Sequence, residues 1–370
     1  MNTIERMVVR SPLVWEPLPA RRRHPWAAGG ALVTVVLIAV IASFLVTVPY
    51  YAIGPGSARS VADLIEVSEG ADQYPPDGAV LLTTVSLGET RAIEALAGWL
   101  DPDIAVVPRE TIVPPDTSGD EFRELNRLLM EDSQMTAVVV ALRRLGHEII
   151  ERGDGGLVAN VVPGFPADGK LEPGDVITSV AGNPTPLSQD VVAAIQAHAP
   201  GETVKLEVSR LDDDSTRTAD VRLAAHPDTG GAFLGIEVRT ANRDFDVPFE
   251  VKIDAGAIGG PSAGLAFALG VIDLLTPGEL TGGRTVAVTG TIELDNSVGA
   301  VGAVPQKAAT VRDAGIDVFL VPAGEEDAAR ERVGGAVQIV PVRTLEDALI
   351  ALGKLGGDLS ALGPPIEAAS

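Results

Sequence analysis

The 370-residue chain contains no cysteine. Disulfide frameworks, thiol nucleophiles, iron–sulfur clusters and cysteine-type zinc sites are therefore excluded. Histidine is nearly as scarce. The four are His24, His147, His198 and His226, and none follows residue 226. No H-E-x-x-H pair occurs, so a zinc protease has no support, and no metal or cofactor is expected. There is no G-x-x-x-x-G-K-[ST] loop, so ATP-driven work is not expected from these residues. Positive charge is also short. The net charge of −23 argues against nucleic acid as a partner, because phosphate contacts need clustered Lys and Arg. Aromatics make up only 4%.

Against these absences stand a 46% hydrophobic content, 40 glycines and 27 prolines. The chain can build real cores, joined by many turns. Its length suits two or three domains. The basic charge that exists is concentrated at the start, where five Arg face two Glu in residues 1–25.

No charged residue lies between Arg23 and Arg59. The core of this gap, Ala27–Val48, would span about 33 Å as a helix, enough for a bilayer. Trp26, Tyr50 and Tyr51 flank it at headgroup level. The Arg21–Arg23 cluster precedes it. A single transmembrane helix over residues 26–50 is expected, with residues 1–25 a cytoplasmic basic tail and the remainder extracytoplasmic. The run is too long for a cleaved signal peptide.

Residues 51–150 carry no chemical motif and read as a connecting subdomain. Within them Gly78–Ser86 reads as a strand. Glu89–Leu100 reads as a helix with an apolar face at Ile93, Leu96 and Leu100. Glu121–Leu145 reads as another helix. Residues 151–228 differ. Leu157–Val162 and Leu171–Gly182 read as strands, and Ser188–Ala199 as a helix capped by Ser188. Thr203–Leu211 and Arg217–Ala225 read as a hairpin. The succession VVPGFPADG, LEPGDVI and helix resembles a PDZ domain. That resemblance implies an extended-peptide groove beside the helix, with Val192 facing it. The loop before the first strand, Arg152–Val158, departs from the usual carboxylate-binding pattern; a closer string is Phe233–Ile236.

The richest stretch follows. Gly259, Gly260 and Pro261 make a tight turn, and Ser262 opens a helix through Leu265, Leu269, Ile272 and Leu275. Such a serine is exposed at a helix start, where free N–H groups can hold developing negative charge. The literal G-x-S-x-G pattern is that of an α/β-hydrolase elbow, but no histidine follows it. A serine without a histidine can use a neutral lysine. Lys307 begins the expected helix Lys307–Gly315, where the helix dipole disfavours its charged form.

GGPSAG, VTGTIELDNSVGAVGAVPQKAATVRDAG and FLVP together resemble the proteolytic domain of Lon proteases over residues 235–352. The resemblance implies a Ser–Lys dyad at Ser262 and Lys307, with Thr289 as a supporting residue that positions the lysine. The family's acidic residue after Thr289-Gly290 is replaced by Thr291. The whole layout resembles membrane-anchored PDZ–Lon-type proteases of Gram-positive bacteria. The expected fold class is α+β: a transmembrane helix, a PDZ-like domain, and a Lon-type α/β domain over residues 229–353. A flexible tail is expected over 354–370. The implied partners are peptide or unfolded protein substrates, the membrane, and five further copies in a homo-hexamer. A non-catalytic peptide-binding scaffold and a hydrolase of esters or cell-wall amides are the alternatives.

Overall fold

The computed structural model describes residues 34–364, apart from 36, 39, 116, 211 and 212. The fold is mixed α and β. It divides into two compact units, one of residues up to Ile53 with Leu87–Ile112, the other of Gly54–Ser86 with Val113 onward.

The larger unit holds two modules. The first is a sheet whose strands run in the order Asp213–Arg222, Thr203–Arg210, Asp175–Val180, Gly156–Val161 and Ile236–Thr240. Alternation along Thr203–Arg210 puts Val204, Leu206 and Val208 inside. They pack with Val191 and Ile195 of the helix Ser188–Gln196. Ser188 is not the cap of this helix. Leu187 holds that position, and its N–H donates to the Asp190 carboxylate (3.0 Å), while Ser188 bonds Thr240 instead. The module also extends past the expected boundary at 228. Leu234 is in its core and Ile236–Thr240 is its last strand, because the Gly156–Val161 edge needs a partner.

The second module is a three-layer α/β sandwich. Strands Gln338–Val342, Val318–Pro322, Thr285–Val288 and Ala79–Leu82 lie side by side, all parallel. Both faces are covered, so these strands are apolar at nearly every position. Val286, Val288, Val318 and Leu320 face a core shared with the helices Gly264–Leu275, Gly119–Arg144 and Leu345–Lys354. Ala287, Phe319 and Val321 face the other way, onto the helices Val304–Asp313 and Glu326–Val333. The period of two assigns successive residues to opposite layers.

Residues 51–150 are therefore not a connecting subdomain. Ala79–Leu82 is an interior strand, and Ala137–Leu142 lie in the same core as the helix Gly264–Leu275. The helix Gly119–Arg144 begins in a reciprocal cap between Ser118 and Glu121. The expected flexible tail is corrected too. The helix continues to Lys354, Asp358 N–H donates to Glu279 O (2.8 Å), and Leu359 and Leu362 pack on the core. Residues 365–370 lie outside the described part.

In the smaller unit, Tyr50–Ile53 pairs antiparallel with Ala105–Pro108 beside the helix Ala92–Leu100. Most of the expected transmembrane helix before residue 34 lies outside the described residues. Residues 40–45 are helical, but Thr47 and Val48 already belong to the strand Thr47–Ser60. The helix ends earlier than expected because this β-branched and aromatic stretch is extended. Among the described residues, no helix is long and apolar enough to cross a membrane. Glu89–Arg91 is strand, not helix, and Leu96 and Leu100 are exposed.

Leu82 tests the membership of the sheet. It is fully buried, so Leu82→Ala is expected to cost about 3 kcal/mol in urea unfolding. Leu128→Ala, at a half-exposed site, is expected to cost under about 0.5 kcal/mol. Equal, small effects would mean that Ala79–Leu82 lies outside the cooperative core.

Candidate active site

Ser262 sits in a turn held from three sides. Gly260 has φ of 85°, a left-handed value that favours glycine, and its N–H donates to Asn126 O (2.9 Å). The buried Ser133 hydroxyl donates to Pro261 O (3.0 Å). Both anchors come from the helix Gly119–Arg144. The Ser262 carbonyl accepts from Gly290 N–H (3.0 Å) and from the Thr289 hydroxyl (3.2 Å). The helix itself begins at Gly264, two residues later than the sequence suggested. A Cβ at Gly264 would lie 2.8 Å from the Ser133 hydroxyl and 3.0 Å from the Ile292 N–H, so the close approach requires glycine.

Lys307 reaches the same cavity from the opposite side of the sheet end. Its helix spans Val304–Asp313, so Lys307 is in the fourth position rather than the first. Pro305 occupies the first turn and Ala303 adopts the left-handed conformation at the cap. The dipole argument is accordingly weak, since that field fades after the first turn. Burial replaces it. Lys307 is only 3% exposed. Loss of hydration lowers the amine from 10.5 to about 8, and the nearby Glu325 carboxylate opposes the shift without reversing it. Glu325 is itself pushed up by burial, while the Val301 N–H bonded to it pulls the other way.

The Lys307 amine donates to the Thr289 hydroxyl at 2.9 Å. The single Thr289 proton is directed at Ser262 O, so toward Lys307 this oxygen can only accept. One fully buried threonine thus links the serine's carbonyl to the lysine's amine. The three residues named from sequence are brought together. Ser262 and Lys307 line one cavity of about 280 Å³.

Sequence reasoning missed the other wall. Ser57, Arg59, Thr83 and Thr84 line the same cavity, from a stretch that carries no motif. The Thr84 hydroxyl accepts from Ser57 N–H (2.9 Å) and donates to Ser57 O (3.1 Å), while Thr310 accepts from Gly56 N–H (2.9 Å). Thr310 is one turn beyond Lys307, so this strand is tied to the lysine helix. Among the described residues, the buried Thr83 hydroxyl meets no hydrogen-bond partner. Thr291, in place of the expected acid, reaches the Glu293 carboxylate at 3.4 Å. The acid near Lys307 is Glu325, from another segment.

A second cavity, of about 220 Å³, lies between the helix Ser188–Gln196 and the segment Phe233–Val238. Its lining includes Val192, Ile195, Phe233 and Gly235. The string Phe233–Ile236 therefore lines this cavity, where a peptide carboxylate would be expected, whereas Arg152–Val158 does not, although Gly156 packs against Val191 of the same helix.

Comparison with known proteins agrees with this architecture. Residues 143–223 match the PDZ domain family, and residues 229–352 match the Lon protease (S16) C-terminal proteolytic domain. Similar proteins include Lon protease 1 of Myxococcus xanthus, 22% identical over 69% of this chain and 34% of that protein. The Lon protease of Clostridioides difficile is 24% identical over 69% of this chain and 35% of its own length. Lon protease 2 of Bacillus subtilis is 30% identical over 34% of this chain and 20% of its own. The chain thus spans about a third of the length of the first two of these. A solved PDZ domain of an SdrC-like protein from Listeria monocytogenes is 33% identical over 23% of this chain and 87% of that one, with a TM-score of 0.22.

The chain thus carries a PDZ region followed directly by a Lon-type (S16) proteolytic domain.

The lysine makes a prediction of its own. Between pH about 8 and 10.5 the unfolded chain holds a proton on Lys307 that the folded chain has released. Stability contributed by this group therefore rises with pH across that window and is at its lowest below it. Lys307→Met is expected to raise the urea midpoint at pH 7, and its advantage over wild type should shrink toward pH 10.5. A variant less stable at pH 7 would mean that the amine is charged and well paired when folded.

Proposed function

We propose that this protein is a membrane-anchored, ATP-independent serine endopeptidase that cleaves extended peptides or unfolded proteins outside the cytoplasm. The observation that supports it most is the buried Lys307 amine, bonded to Thr289, whose hydroxyl holds the Ser262 carbonyl. In this reading Ser262 Oγ attacks the peptide carbonyl while Lys307 Nζ takes the hydroxyl proton. The carbon–oxygen bond forms, the carbon–nitrogen bond breaks, and the lysine proton passes to the leaving amine. Water then attacks the acyl ester, giving its proton to Nζ, and the serine is released with its proton restored. Backbone N–H groups at the start of the helix Gly264–Leu275 are suited to the transient oxyanion. Thr289 is a positioning residue. By accepting one amine N–H it leaves the lone pair of the neutral amine free for the serine.

The PDZ module is assigned substrate capture. Ile236–Thr240 is the last strand of its sheet and lies beside the helix Ser188–Gln196, an arrangement suited to strand addition by a peptide. Val192 is exposed in that groove. The membrane assignment is supported by the uncharged run and the preceding arginines, and by exposure of Val35, Leu37, Ile38, Ile41 and Phe44.

A single panel tests the catalytic reading. Ser262→Ala and Lys307→Arg are each expected to lose at least about a thousandfold in hydrolysis of a short peptide, because a guanidinium cannot act as a base. Wild-type activity should climb through pH about 8. Val192→Asp should keep peptide hydrolysis and lose cleavage of an unfolded protein. Substantial activity in Lys307→Arg would remove the lysine from the role of base. Equal loss of both activities in Val192→Asp would make the module structural.

Orientation is tested separately. Protease added outside intact, wall-stripped cells is expected to remove the S16 domain, and full protection would reverse the assigned topology.

A further inference from the structure

The helix Ala92–Leu100 is inside out. Its buried residues are the small Ala95 and Gly98. A Cβ on Gly98 would lie 2.7 Å from the Val106 side chain, so the helix is pressed against Ala105–Pro108 through its smallest positions. Its large apolar residues, apart from the half-buried Ile93, point away. Leu96 is 53% exposed, Trp99 65% and Leu100 81%. Positions three and four apart share a face, so these three form one continuous patch. A helix packed on a protein core ordinarily does the reverse.

The position of the helix says what covers this patch. Ala92 N–H donates to Val46 O at 3.1 Å, and the Thr90 hydroxyl donates to Tyr50 O at 2.8 Å. Val46 and Tyr50 bracket the point where the helical part of the uncharged run gives way to the strand Thr47–Ser60. The first turn of the helix is thus fastened to the exit of the apolar segment. Within this unit, Val40, Ile41, Phe44, Leu45 and Val46 are themselves exposed.

We infer that the helix Ala92–Leu100 is a membrane-docking helix that lays Leu96, Trp99 and Leu100 into the lipid headgroup layer beside the anchor. A tryptophan between two leucines is suited to that layer. An exposed apolar patch this continuous is unusual on a surface that meets only water. The charges support an uncharged headgroup surface. The helix carries Glu94, which is paired with the cap residue Arg91 at 4.0 Å, and Asp101 and Asp103 follow it, so it offers no excess positive charge to anionic lipid. Docking is apolar and insensitive to salt. This inference rests on the proposed membrane anchor.

The test uses the full chain in phosphatidylcholine vesicles with acyl chains brominated near the headgroup. The chain has three tryptophans, Trp15, Trp26 and Trp99. A variant keeping only Trp99 (Trp15→Phe, Trp26→Phe) reports docking, and one keeping only Trp26 (Trp15→Phe, Trp99→Phe) reports the anchor. Trp99 fluorescence is expected to fall about twofold in brominated relative to ordinary vesicles, at low and high salt alike. Adding Leu96→Asp and Leu100→Asp should abolish that quenching while the detergent-solubilised variant still hydrolyses a short peptide. Quenching of Trp26 without Trp99 would overturn docking and leave the anchor standing. Quenching of Trp99 without Trp26 would sustain docking and overturn the anchor. Quenching of neither would overturn both. Trp99 shielded from aqueous acrylamide but not quenched by bromolipid would mean that a protein surface, such as a second copy, covers the patch.

Discussion

The hydrogen bond from Lys307 to Thr289 is the contact on which the arrangement of the site depends. A lysine can act as a base only if its proton is released near neutral pH, and in water it holds that proton up to 10.5. Burial supplies the shift, but burial also removes the water that would satisfy the amine. Thr289 satisfies it without contributing charge. An acid at the same distance would bond the amine too, yet would hold it protonated. Glu325 exerts that opposing pull, and the net fall to about 8 says that desolvation wins. The carboxylate is occupied by the Val301 N–H, so its attraction reaches the lysine without a bond being needed.

Holding Thr289 in place is the work of the sheet. Thr289 follows the strand Thr285–Val288, and its own N–H donates to Leu320 O in the adjacent strand. Gly290 then exchanges bonds with both sides of the serine turn, donating to Ser262 O and accepting from Leu265 N–H. The serine turn is fixed independently by Asn126 and Ser133 on the long helix. Two separate frameworks therefore converge on the few atoms of Ser262 and Lys307. Such over-determination is what the proposed Ser–Lys pair requires, because small errors in geometry cost rate steeply.

The site was legible in sequence to the extent that its motifs are local. Ser262 stands in a Gly-Gly-Pro turn before an apolar helix, and Lys307 stands near a helix start with no histidine available as a rival base. Thr289 came only through resemblance to a family. The rest was hidden by distance along the chain. Ala79–Leu82 is a parallel strand whose partner, Thr285–Val288, lies about two hundred residues on, and no periodicity in residues 51–150 announces such a pairing. Ser57, Thr83 and Thr84 were missed for that reason, and Glu325 because it follows a different strand. Other misreadings were local. Pro305 in the first turn was the signal that the lysine helix starts before Lys307. The apolar run to Val48 concealed a change from helix to strand, since apolarity alone does not separate the two.

The same geometry limits what can be cut. The cavity beside Ser262 has about 280 Å³, room for a few side chains and not for a folded domain. In the proposed function a substrate therefore arrives extended. The cavity proposed to take extended chain is in the same unit, beside the edge strand Ile236–Thr240. The chain runs from that strand through Asp244–Asp246 and Val251–Ile253 to the Ser262 turn, with Phe245 and Ile253 buried in the S16 core. Asp244–Asp246 also pairs with Ile150–Arg152 at the base of the PDZ module, reinforced by the ion pair of Arg152 with Asp246. The PDZ cavity and the Ser262 turn are thus connected by one short, paired stretch of backbone. In the proposed function, extended chain is selected by shape on both sides of that connection.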